Sequence, residues 1–194
     1  MKSIIASLKN RFFPHSRFSS SDYWDERYKS GGNSGPGSYG QLAQFKAAFL
    51  NALVKDNGIT SVIEFGCGDG NQLALALYPR YSGYDVSLAA VKACRLLFEN
   101  DSSKDFFLAQ GYDGRKADLA LSLDVIFHLT EDHIFDAYMH RLFEASSKYV
   151  VVYSSDLDEP IQSASVHVRH RHFTKWIDQE ISSEWGLMQR IPNA

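Results

Sequence analysis

A short apolar run that stops in three glycines spaced by one residue, Val62-Ile63-Glu64-Phe65-Gly66-Cys67-Gly68-Asp69-Gly70-Asn71, restricts what this chain can fold into more than any other stretch. Val62, Ile63 and Phe65 are β-branched or aromatic and make a run of strand length. Gly66, Gly68 and Gly70 bring backbone freedom and no Cβ atoms, so a ligand on this loop can touch main chain. Beyond them Leu73, Leu75, Ala76 and Leu77 continue at helical spacing. The expectation is therefore a strand, a tight turn and a helix N-terminus, whose free N–H groups and macrodipole favour anionic or polar ligand atoms. A nucleotide-type pocket of an α/β sheet occupies that position.

The dinucleotide fingerprint reads G-x-G-x-x-G, whereas here the spacing is G-x-G-x-G and Asn71 stands where its third glycine falls, which argues against NAD. The string from Glu64 to Gly70, with an acid two residues before the first glycine, instead resembles the first motif of class I S-adenosylmethionine-dependent methyltransferases. That resemblance implies S-adenosylmethionine as cofactor and places Glu64, Gly66, Cys67, Gly68, Gly70 and Asn71 in its seat. A second short strand, Tyr81 to Val86, ends at Asp85, nineteen residues after Gly66. A carboxylate there can accept hydrogen bonds from both ribose hydroxyls of an adenosine. Asp85, with its neighbour Val86, matches the family's ribose-binding position; the plainer reading of Asp85 is a helix cap ahead of Ser87.

The resemblance runs from about Tyr23 to Ile191. Ser19 to Tyr28 reads as a capped short helix, and Gly31 to Gly40, with five glycines and a proline, as a loop over the cofactor or a linker. In the family the segment before the first strand folds over the cofactor, which makes Trp24, Arg27 and Tyr28 candidate contacts. From Gln41 to Lys55 the positions Leu42, Phe45, Phe49, Leu50, Leu53 and Val54 trace a helical face that Asn57-Gly58 ends. After a third strand at Phe106–Ala109, Asp113 or Tyr112 is the candidate for the adenine. Asp118 to Leu129 resembles the family's fourth motif, whose strand end faces the methyl group and the substrate. His128 is there either a general base or a histidine that fixes the loop, and Asp124 lines the site. The Lys148–Ser155 run is a fifth strand, apolar as a parallel strand covered on both faces should be.

His167, Arg169, His170 and Arg171 fall in a basic segment whose histidine spacing suits none of the common zinc sites, so no metal is expected. It reads as a solvated basic face, or as an electropositive wall that receives an acidic or phosphorylated substrate. Trp185, Leu187, Met188 and Ile191 suggest a sixth strand, and no seventh follows.

At 194 residues and 21.9 kDa the chain suits one domain that buries about 70% of its unfolded surface. The expected organisation is an arm over 1–20 followed by a single domain over 21–194, with a helical and lid-like part at 21–58 and the core at 59–194. A net charge of −3 gives no reason to expect nucleic acid as partner, and Cys67 and Cys94 have neither metal spacing nor a secretory context, which leaves the reducing cytoplasm as the default. Residues 1–20 carry +4, leaving 16 basic against 23 acidic residues elsewhere. Ile4, Ile5, Leu8 and Phe12 make one face of a basic helix that Pro14 ends, suited to packing on its own domain or, less well, to a membrane surface.

The fold class expected is a three-layer α/β sandwich around a mostly parallel, doubly wound sheet that lacks the seventh strand. The function expected is methyl transfer from S-adenosylmethionine to oxygen or nitrogen of a small molecule of acidic or sugar-like character. No Pro-Pro pair and no Pro-Cys pair occur, so the family's motifs for base amino groups and for cytosine carbon are missing. The alternatives are a silent S-adenosylmethionine-binding protein and an NAD(P)-dependent Rossmann oxidoreductase.

Overall fold

A computed structural model describes residues 18–157 and 165–192. The helix expected over Ile4 to Phe12 lies outside the described residues. Strands β1 (Val62–Phe65), β2 (Tyr81–Asp85), β3 (Lys104–Leu108), β4 (Ala117–Leu123) and β5 (Ser146–Tyr153) form one sheet in the order β3-β2-β1-β4-β5. Every neighbouring pair is parallel. The chain leaves β1 in one direction to build β2 and β3, then returns to β1's other side for β4 and β5. Ligands of such sheets bind in the crevice at the strands' carboxyl ends where that reversal occurs, here between β1 and β4.

Side chains alternate along each strand, so β1 feeds both layers. Val62, with Tyr81, Phe106, Leu119 and Leu121, packs under α2 (Gly40–Asp56) and α3 (Leu88–Leu97). Ile63 and Phe65, with Tyr84 and Ala120, pack under α4 (Asp132–Glu144) and α5 (Phe173–Glu180). The α4 stripe, Phe135, Met139, Leu142 and Phe143, is buried at the i, i+4, i+7, i+8 spacing of a helix laid on a sheet. The Tyr138 hydroxyl meets the Phe65 carbonyl and the Ser122 hydroxyl, both at 2.8 Å, and so fixes β1 beside β4 at their carboxyl ends.

Three expectations are corrected. After the glycine loop there is no α-helix, only a single 3₁₀ turn at Leu73–Leu75. The Asn51 side chain on α2 accepts the Leu77 N–H at 2.8 Å and donates to the Leu75 carbonyl at 3.0 Å, so tertiary bonds replace the helical ones. Leu75 and Leu77 are exposed, and Leu73 alone of the four apolar positions is buried. The β3 to β4 connection likewise carries one 3₁₀ turn, Ala109–Gly111. Second, the expected face of α2 holds over its second half, where Leu50 and Val54 are buried and Phe49 and Leu53 pack on the core, but at its start Ala43, Lys46 and Ala47 are buried while Leu42 and Phe45 face solvent. The two alanines let the helix approach the sheet closely. Third, no sixth strand forms among the described residues; Leu187 and Met188 are each 75% exposed in irregular chain.

Leu142→Ala, at a fully buried site on α4, is expected to lower the unfolding free energy by about 2–5 kcal/mol in urea melts. Leu187→Ala should stay within about 0.5 kcal/mol of the parent. A loss at Leu187 as large as that at Leu142 would mean that this segment is packed as a strand after all.

Candidate functional site

The carboxyl ends of β1, β2 and β4 gather the residues with chemistry. Gly66, Gly68 and Gly70 all have positive φ, at 87°, 60° and 82°, which side-chain-bearing residues rarely adopt. A Cβ on Gly66 would lie 2.4 Å from the Val125 side chain, and one on Gly68 would lie 2.3 Å from Ser34 Oγ and 2.9 Å from the Tyr28 hydroxyl. The loop therefore needs glycine for its turns and for the close approach of two other segments.

Asp85, 5% exposed, ends β2 beneath that loop. Its Oδ2 accepts the Gly68 N–H and its Oδ1 the Ser87 N–H, each at 2.9 Å. Burial raises its pKa to about 6 in spite of the Ser87, Gly68 and Val86 N–H groups directed at it. Ser87 caps α3 and donates its hydroxyl to Asp25 on α1 (Ser20–Lys29) at 2.9 Å, so the N-terminal helix is fastened beside the same carboxylate. Val86 and Leu88, 42% and 43% exposed, put apolar surface next to it.

The segment between α1 and α2 lies on the glycine loop. Ser34 Oγ accepts the Asp69 N–H at 3.0 Å, and Asp69 Oδ2 accepts the Ser34 N–H at 2.9 Å and the Tyr39 hydroxyl at 2.7 Å. Asn71 donates its side-chain amide to the Ser38 carbonyl at 2.6 Å and its N–H to Asp69 Oδ1 at 3.1 Å. Burial works against the Asp69 carboxylate, yet these bonds hold its pKa below the usual value. Tyr28 donates to or accepts from Ser34 at 2.9 Å, and burial next to Asp85 pushes its hydroxyl pKa far up. Arg27 donates to the Asn33 carbonyl at 2.7 Å and stacks over Trp24, so it shapes this segment from outside.

At the end of β4, Asp124 has a φ of 59°, the one side-chain-bearing described residue with positive φ. Its carboxylate is ion-paired with Lys46, a residue of α2 that is 2% exposed and that the sequence reading passed over. The signal was available: Lys46 interrupts an otherwise apolar Ala43-Ala47-Leu50-Val54 stripe. His128 follows in a 3₁₀ turn, Ile126–His128. Its Nδ1 lies 2.9 Å from the His167 carbonyl, which makes Nδ1 the protonated nitrogen and leaves the Nε2 lone pair free to accept a proton. Burial lowers its pKa to about 4, so the ring is neutral at pH 7. Trp24 meets the ring edge-on at 4.7 Å, and His167 stacks on it at 5.6 Å with Tyr23 on its far side at 4.5 Å.

The structure thus brings together the glycine loop, Asp85, Val86, Asp124, His128, Trp24, Tyr28 and His167. Other candidates sit elsewhere. Glu64 points under α2, where it accepts the Tyr81 hydroxyl at 2.6 Å, and burial raises its pKa to about 7. Cys67 is buried against Cys94, which with burial keeps its thiol protonated. Asp113 is bound bidentately by Arg115 at the surface, which holds its pKa down to about 2, whereas Tyr112 packs edge-on against Phe65 and Tyr84 at 5.2 and 5.4 Å. Arg169 and Arg171 both pair with Asp132 at 2.7 and 3.0 Å and donate to the Thr130 carbonyl, which leaves them bracing the start of α4. His170 meets the Ser155 hydroxyl beside Phe127. Two cavities of about 560 and 570 Å³, one by Asn51, Ile59 and Leu77 and one by Asp132, Arg171 and Trp176, touch none of the residues Gly66 to Asn71. Among the described residues no group of three or more His, Cys, Asp and Glu is placed to hold a metal ion, and no helix is long and apolar enough to cross a membrane.

The residues present fit S-adenosylmethionine. Each oxygen of Asp85 accepts one backbone N–H and so keeps a lone pair for one of two adjacent ribose hydroxyls. Val86 and Leu88, beside that carboxylate, offer apolar surface for a base.

No protein-family profile matches the chain, and no curated protein matches it. Solved structures do. In two crystal structures the methyltransferase domain of bacterial CtHen1 is 22% identical over 71% of this chain and 82% of that one, with TM-score 0.57, and 26% identical over 58% and 66%, with TM-score 0.50. An O-methyltransferase family protein from Burkholderia thailandensis is 16% identical over 81% of this chain and 51% of that one, with TM-score 0.56. The N-methyltransferase NodS from Bradyrhizobium japonicum, crystallised with S-adenosyl-L-homocysteine, is 14% identical over 67% and 69%, with TM-score 0.54. With its five parallel strands in the order β3-β2-β1-β4-β5 and the glycine loop at the point of reversal, the chain has the class I S-adenosylmethionine-dependent methyltransferase fold.

Proposed function

We propose that the protein is an S-adenosylmethionine-dependent methyltransferase acting on oxygen or nitrogen of a small molecule of acidic or sugar-like character. The observation that carries this reading is the Asp85 carboxylate under the Cβ-free turn at Gly68, with a lone pair left on each oxygen. When bound, the cofactor supplies a methyl group on a sulfonium, which needs alignment with a nucleophile more than dedicated catalytic groups. Ser34 and Tyr28 stand over Gly68, so these two side chains must shift for a ligand to reach the loop there. His128 Nε2 takes the proton from the acceptor's hydroxyl or amine. Its ring is neutral at pH 7, the burial that lowers its pKa to about 4 makes it a weaker base than a free imidazole, and its Nδ1–H bond to the His167 carbonyl keeps the basic nitrogen turned away from His167. Trp24 and the ring of His167 narrow the access to that nitrogen.

Calorimetry with S-adenosylhomocysteine and with NAD separates this reading from an oxidoreductase. Heat of binding is expected with the first and none with the second; the reverse would overturn it. Asp85→Ala should weaken S-adenosylhomocysteine by at least tenfold, about 1.4 kcal/mol. Ribose hydroxyls donate to an ionised carboxylate, so affinity is retained above the Asp85 pKa of about 6 and lost below it. Between pH 7 and pH 5 the dissociation constant should rise about tenfold, as the ionised fraction falls. Asp85→Asn should give a flat profile, and a flat profile in the parent would misplace the ribose. With methyl-labelled cofactor and a pool of small metabolites, His128→Ala should keep cofactor affinity and transfer label at least about 100-fold more slowly.

A further inference from the structure

Lys46 is the buried charge that the reading above leaves without a task. It stands in the middle of an apolar helical stripe, 2% exposed, with its ammonium 4.9 Å over the Tyr153 ring and ion-paired to Asp124 Oδ2. Burying an ammonium is costly even when it is paired, and a buried pair is commonly replaceable by apolar residues with no loss of stability. Its second carboxylate neighbour, Glu64, is already bonded to the Tyr81 hydroxyl. What Lys46 fixes is Asp124, whose backbone is left-handed and whose side chain is 19% exposed at the end of β4.

The strand order decides what meets Asp124. The carboxyl ends of β2, β1 and β4 lie side by side, so a ligand with its ribose at Asp85 crosses the glycine loop and ends at Asp124. For the cofactor proposed above, that end is an amino acid with an ammonium group. Two carboxylates are available to it. Asp69 already accepts three bonds from Ser34, Tyr39 and Asn71. Asp124 gives one oxygen to Lys46, and no described residue donates to the other.

We propose that Lys46 is a positioning residue: it holds Asp124 so that Oδ1 faces the crevice and accepts from the ammonium of the cofactor's amino-acid tail. The inference rests on the methyltransferase reading. It also accounts for the left-handed backbone, since Asp124 is turned back toward α2 where strand geometry would carry it onward.

The test compares S-adenosylhomocysteine with 5′-methylthioadenosine, which keeps the adenosine and sulfur but lacks the amino-acid tail, in the parent, Lys46→Met, Asp124→Asn and the double variant. Lys46→Met removes one partner of a buried pair and should lower the melting temperature, and at a temperature where it stays folded it should weaken S-adenosylhomocysteine by at least tenfold and leave 5′-methylthioadenosine within about twofold. Asp124→Asn should show the same selective loss, and the double variant no greater one, because Lys46 acts through Asp124. An equal loss for both ligands, an unchanged S-adenosylhomocysteine affinity, or losses that add in the double variant would overturn the proposal while leaving the cofactor reading standing. A parent that binds neither ligand would remove both.

Discussion

Asp85 accepts the Gly68 N–H on one oxygen and the Ser87 N–H on the other, and through these two bonds a single buried carboxylate joins the loop after β1, the end of β2 and the start of α3. Ser87 extends the link to α1 through Asp25. The arrangement is held against a cost, because burial raises the pKa of this acid to about 6 and the backbone donors of Ser87, Gly68 and Val86 only partly offset it. Near neutral pH the ionised form prevails, so the carboxylate organises the carboxyl edge of the sheet while keeping acceptor capacity for a ligand. A site that needs both rigidity and a charge at the same atom is obtained here by donating to the carboxylate from main chain, which no side-chain substitution can remove directly.

Around that centre the N-terminal segment and the glycine loop satisfy each other's polar groups. Ser34, Tyr39 and Asn71 converge on Asp69, Ser34 and Tyr28 lie over Gly68, and the Gly37 backbone lies against Asp124, where a Cβ would come within 2.6 Å of its carboxylate. In this closed arrangement the N–H groups of Gly66, Cys67, Gly68, Asp69 and Asn71 are bonded to the protein itself. Exchange of those bonds for bonds to a ligand costs little net hydrogen-bond energy, since each lost partner is replaced by another. On the reading proposed above, binding is then governed by what the ligand adds, contact with the exposed Val86 and Leu88 and charge at Asp124.

The parts of the sequence that spoke clearly were those where the backbone itself imposed a residue type. The three glycines have positive φ, Asp85 ends β2 beneath their loop, and the apolar Lys148–Ser155 run holds β5. The failures have a common cause in tertiary contact. Leu73 to Leu77 has helical spacing, but Asn51 on α2 takes the donor and acceptor that a helix would use. At the start of α2 Leu42 and Phe45 misled, because Ala43 and Ala47 take the buried face there and Lys46 goes inside with them. Asp113 was assigned by its distance from β3, yet an arginine two residues later claims it. Arg169 and Arg171 read as an anion-receiving wall because Asp132, their partner across nearly forty residues, is invisible to local pattern.

Amide hydrogen exchange with and without S-adenosylhomocysteine tests the placement of the cofactor most directly, since it reports on the backbone donors of the site one segment at a time. Slowed exchange concentrated in Gly66 to Asn71, Asp85 to Ser87 and the Asp124 turn is the result this structure predicts. Protection confined to the cleft of Asp132, Arg171 and Trp176, or no protection at all at saturating ligand, would contradict it.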